Sequence, residues 1–86
     1  VDSVNCLFVF RSMTQAQSAA AILSRSGIPT QPVTPPTSLG RGSCAHGLRL
    51  RESYLAQACT LLRKTSIPVL GVYDLLEDGR WREVVW

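Results

Sequence analysis

Eighty-six residues, 45% of them apolar and only 17% charged, suffice for one small domain and are too apolar for a disordered chain. No apolar run nears the roughly 18 residues of a membrane span, and the opening VDSVN lacks the basic-then-apolar pattern of a secretory leader, so neither membrane nor export is expected. The net charge of +3 is uneven: residues 1–51 hold five arginines against one acid (Asp2), and residues 52–86 hold four bases against five acids, an excess too small for a polyanion binder, so nucleic acid is not an expected partner.

Asn5–Arg11 (NCLFVFR) predicts a first strand. Its apolar residues do not alternate with polar ones, so both of its faces should be covered. Ser12 or Thr14 can cap a helix running to Arg25, with Ala16, Ala19, Ala20 and Leu23 along one face, and Gly27 supplies its left-handed stop. Ile28–Val33 reads as an edge strand, because Pro29 and Pro32 exclude it from a sheet centre. Thr34–Cys44 (TPPTSLGRGSC) packs two prolines and two glycines into eleven residues and predicts a long exposed loop.

His46–Arg51 alternates Leu48 and Leu50 with Arg49 and Arg51 and predicts a half-buried third strand whose arginines form a solvated face. A second helix is expected from Glu52 or Ser53 to Lys64 or Thr65, with Leu55, Ala58, Cys59 and Leu62 as its buried stripe. Val69–Leu76 predicts a fourth strand. Asp78-Gly79 then makes a hairpin turn, and Trp81–Trp86 pairs back as a short fifth strand. Ile28-Pro29 recurs as Ile67-Pro68 after the second helix, with Leu23 matching Leu62 and Arg25 matching Lys64, so each half is strand, helix, strand. Two such units predict an α+β, ferredoxin-like split βαβ sandwich, βαββαβ, as one domain over 1–86 with a hairpin extension over 77–86. The open face of the first strand then needs cover from the tryptophan-bearing tail or from a second copy, a homodimer.

The chemistry on offer is sparse: one histidine, no phosphate-binding glycine motif, and three cysteines without metal-ligand spacing, so no metal or cofactor is expected. An odd, unpatterned cysteine set fits a reducing, cytoplasmic setting. Cys6 and Cys59 lie in apolar strand and helix patterns and read as inert core thiols. Cys44 differs, because its neighbours Ser43, Ala45, His46 and Gly47 show no apolar periodicity that would bury it. In the predicted topology it lies at the end of the molecule that holds the first helix's N-terminus, Arg11, Arg63 and Lys64. Those positive groups favour a thiolate, opposed by the second helix's C-terminus. Arg41, Ser43, His46 and Arg11 are the candidate binding residues around it, although His46 in isolation reads as a polar strand-start residue. Trp81 and Trp86 read as packing or dimer contacts.

Ser26-Gly27-Ile28-Pro29, Pro35-Pro36, Ser43-Cys44, Leu48-Arg49-Leu50 and Gly71-Val72-Tyr73-Asp74 appear here in an order that resembles the "Putative selenium/sulfur carrier protein-like" family over about residues 5–75. The chain departs from that pattern after the cysteine, where Ala45-His46 stands before Gly47. The resemblance implies that Cys44 carries sulfur or selenium as a persulfide or selenosulfide between a donor protein and an acceptor protein, as a carrier more than a stand-alone enzyme. The alternative is a non-catalytic ferredoxin-like binding or regulatory module, dimeric, whose loop arginines hold an anionic partner. Single-stranded RNA binding ranks below both, because the third strand has no aromatic for base stacking.

Overall fold

The computed structural model describes residues 5–35 and 45–84. Five strands, β1 (Cys6–Phe10), β2 (Gln31–Val33), β3 (His46–Leu50), β4 (Gly71–Leu75) and β5 (Trp81–Glu83), form one antiparallel sheet in the order β2-β3-β1-β4-β5. Helices α1 (Met13–Arg25) and α2 (Leu55–Arg63) complete the predicted α+β, ferredoxin-like arrangement, and β5 adds the hairpin strand beyond β4. No helix among the described residues is long and apolar enough to cross a membrane.

β1 is central and all five of its residues are fully buried. Cys6, Phe8 and Phe10 point into the helix-side core with Ala19, Leu23, Leu48, Leu62 and Val72, while Leu7 and Val9 point to the opposite face. This is why the segment lacks polar alternation. Ser12 Oγ accepts from the Gln15 amide at 3.2 Å and starts α1. The helix ends in a Schellman motif, with Ile28 N donating to Leu23 O at 2.9 Å and Gly27 N to Ser24 O at 3.0 Å while Gly27 sits at φ 79°.

Ile28 is therefore a buried helix-end residue and not part of a strand; β2 is only three residues long, shorter than the Ile28–Val33 expected. α2 has no glycine at its end. Thr65 replaces it: its hydroxyl donates to Leu62 O at 2.8 Å and accepts from Ile67 N at 3.3 Å. The repeated Ile-Pro thus follows two different helix stops. α2 also starts later than expected, because Glu52–Tyr54 winds as a single 3-10 turn before it.

The solvated arginine face is corrected at Arg49 alone, since Arg51, just past β3, is exposed as expected. Arg49 is half-buried, shares a face with Leu7, and places its guanidinium 5.7 Å from the Trp81 ring centroid. Trp81 packs on the cluster of Leu7, Val9, Ala45 and Tyr73, so β5 brings cover to the open face within one chain. β5 is held on the helix side by Arg82, whose Nε and Nη2 meet Asp74 Oδ1 and Oδ2 at 3.1 and 2.6 Å. Trp81→Ala is expected to cost about 1–3 kcal/mol in urea unfolding from lost apolar cover and the cation–π contact. Trp81→Phe should recover most of it, whereas a loss below about 0.5 kcal/mol would mean that Trp81 is not the cover.

Candidate functional site

The register brings one end of the sheet together. Phe10 pairs with His46, Val9 lies between Gly47 and Gly71, and Leu70 N donates to Val9 O at 2.8 Å. β1 leaves this end through Arg11 into the N-terminus of α1, and α2 arrives at it with Arg63 and Lys64. Arg11, Arg63 and Lys64 are exposed; His46 is half-buried. The structure therefore places two of the sequence-predicted site residues, Arg11 and His46, at one end. Cys44, Arg41 and Ser43 lie outside the described residues, as does most of the expected long loop.

Two observations at the borders of that loop differ from expectation. Pro35 is buried, although it belongs to the segment read as exposed. Ala45, the residue after Cys44, is 7% exposed and packs with Leu7, Val9 and Tyr73, and Gly47 is buried as well. The absence of apolar periodicity from Ala45 to Gly47 thus did not mean exposure. At Gly47 the space is already taken: an added Cβ would lie 2.8 Å from Leu7 Cδ1 of β1 and 3.2 Å from Val33 Cγ2 of β2.

The remaining cysteines behave as core residues. Cys6 is fully buried and Cys59 is 7% exposed, both in the helix-side cluster. Burial pushes the Cys59 thiol up, and the charge of Arg63 pulls it only partly back. Neither is suited to act as a nucleophile at neutral pH.

An apolar groove of about 240 Å³ opens beside His46, between α1 and the β2–β3 edge. Met13, Ala16, Gln17 and Ala20 form its helical wall at i, i+3, i+4 and i+7, and Pro32 and Val33 form the opposite one. It exists because two alanines on that helix face leave space that longer side chains would fill. Met13 is 55% exposed, the large apolar side chain left open to solvent among the described residues. In the sequence the groove's signal is the alanine-rich helix face, which continues past the buried stripe to a methionine at the first turn.

The family model described as "Putative Se/S carrier protein-like" matches residues 5–74, which covers β1 through Asp74 of β4 and leaves β5 outside. No curated protein and no solved structure matches the chain. Since the matched stretch spans most of the 86 residues and includes Ser43-Cys44 together with the elements that gather Arg11 and His46 at one end, the chain belongs to the Putative Se/S carrier protein-like family.

Proposed function

We propose that the protein carries sulfur or selenium as a persulfide or selenosulfide on Cys44. The observation that supports this most directly is the family match across the cysteine-bearing stretch, residues 5–74. The cationic surroundings of the sheet end that receives the chain at Ala45 agree with it. In the loading step the Cys44 thiolate attacks the terminal sulfur of a donor persulfide. A new S–S bond forms at Cys44 as the donor's own S–S bond breaks, and the donor cysteine leaves as a thiolate. Two electrons stay paired in each exchanged bond, so no oxidant or reductant is consumed. A reducing, cytoplasmic setting keeps the thiols available for this exchange.

Arg11, Arg41, Ser43 and His46 are assigned to binding around the loaded atom, with Arg11 and His46 supplied by the two paired strand ends. The reason for expecting a homodimer is weakened, because Leu7 and Val9 are fully buried within one chain.

The test is iodoacetamide alkylation of each cysteine against pH, followed by intact mass and peptide mapping. Cys44 is expected to react alone, with a midpoint well below the ordinary value of about 8.5. A midpoint at that ordinary value would remove the chemistry from Cys44 and leave the binding-module reading in its place.

A further inference from the structure

The charges of the described residues are sorted along the strand axis. In the half of the molecule containing Cys6, Leu50 and the β4–β5 turn, Arg25, Arg49, Arg51, Arg80 and Arg82 are set against Glu52, Asp74, Glu77, Asp78 and Glu83, so cations and acids balance. Two of these arginines are directly paired, Arg80 with Asp78 at 2.7 Å and Arg82 with Asp74 at 2.6 Å. The opposite end holds Arg11, Arg63 and Lys64 and, among the described residues, no carboxylate. The first turn of α1 there also lacks an acid, so the helix's positive end adds to the same field.

The same end carries the apolar groove, whose lining includes the exposed Met13. At about 240 Å³ the groove falls short of the roughly 300–1,000 Å³ of small-molecule pockets, and it is walled by apolar and small side chains with Gln17 and His46 as its polar members. Its size suits one inserted side chain better than a free metabolite. We infer that the Arg11–Lys64 end is a docking surface for an acidic protein segment that places one apolar side chain into the Met13–His46 groove. This deepens the carrier reading and rests on it for its purpose, since the docked partner would be the sulfur donor or acceptor meeting Cys44. Complementary charge would speed the encounter and set orientation, and the apolar anchor would lengthen it.

The probe is a synthetic glutamate-rich peptide with one central leucine, titrated into the isotope-labelled full chain and followed by amide shifts. Shifts are expected at Arg11, Met13, Gln17, His46 and Lys64 and should weaken strongly at high salt. The leucine-to-alanine peptide should bind roughly tenfold more weakly, as expected for one lost apolar anchor. Arg11→Glu/Lys64→Glu should reduce binding by about tenfold or more, while Arg25→Glu/Arg80→Glu, with the same change in net charge at the opposite end, should leave it within about twofold.

Equal loss in the two double variants, shifts centred on the balanced half, or no shifts at the highest peptide concentration would each overturn the inference. Sulfur uptake by the unmodified chain from sodium tetrasulfide, a donor with no protein surface, reports the carrier reading separately. Uptake without peptide docking sinks only this inference, and docking without uptake sinks only the carrier.

Discussion

Cys44→Ser is expected to abolish uptake of sulfane sulfur altogether. After incubation with sodium tetrasulfide and removal of excess reagent, the unmodified chain should gain the mass of one sulfur atom and Cys44→Ser should gain none. The effect is all-or-none because serine offers no thiolate, and a hydroxyl cannot form a persulfide. The two thiols that remain in the variant are poor substitutes: Cys6 is fully buried, and Cys59 is 7% exposed with its thiol pushed up by burial. An attacking group must be both ionised and reachable. A thermal melt of the variant beside the parent establishes that the fold is retained. Undiminished uptake by Cys44→Ser would remove the carrier reading, because the sulfur would then reside on a core cysteine or on no cysteine.

The second large effect is structural. Phe8→Ala is expected to destabilise the protein by about 3–5 kcal/mol in urea or guanidinium unfolding. Phe8 sits in the middle of the central strand, opposite Leu48 on one side and Val72 on the other, and is fully buried in the cluster that joins both helices to the sheet. Truncation removes an aromatic ring from a site walled by strands on both sides, which cannot close in without breaking their register. A chain of 86 residues has roughly 4–13 kcal/mol of stability in total, so the variant should be largely or wholly unfolded on warming. Phe8→Leu should lose less than half as much. A cost under about 1.5 kcal/mol for Phe8→Ala would mean that the central strand is not the packing centre described here.

These two expectations concern opposite ends of one design. The fold is anchored where its side chains are largest and most enclosed, around Phe8, Leu23 and Leu62. The candidate chemistry enters at the strand end, where Ala45, Gly47 and Gly71 are small and the helix termini converge. Separating the two leaves the cationic strand end free to vary in charge and shape with little cost to the core, in keeping with the general placement of functional residues on connections held by a rigid scaffold.

Much of the architecture was legible in the residues. The unbroken apolar run Leu7–Phe10 marked a strand covered on both faces, the alanine-rich stretch between Ser12 and Gly27 marked a capped helix, and Pro32 marked a sheet edge. These features depend on local chemistry: a serine hydroxyl within reach of an amide, a glycine free to take positive φ, and a proline without a donor. The Ile-Pro repeat disclosed the two-unit order, and Cys44 was set apart from Cys6 and Cys59 first by its non-periodic neighbours and then by the Ser43-Cys44 family pattern.

Other features were decided only in three dimensions. Arg49 reads in sequence as the polar half of an alternating strand, yet it is half-buried because β5 brings Trp81 onto that face from 32 positions further along the chain. Ile28 has a strand-forming side chain but follows a glycine at φ 79°, and the Schellman bonds turn it into the core before the strand begins. Ala45 is buried by neighbours on β1 and β4, and no local pattern encodes their arrival. The separation of a balanced half from a cationic end depends on which strand termini the antiparallel register makes adjacent. The order of residues alone determined the two-sided core strand, the helix stop at Gly27 and the sheet edge at Pro32, because each is settled by local chemistry within a few bonds. Burial of polar residues, cover of the open face and clustering of charge required the tertiary structure, because each depends on groups that only the folded chain brings within reach.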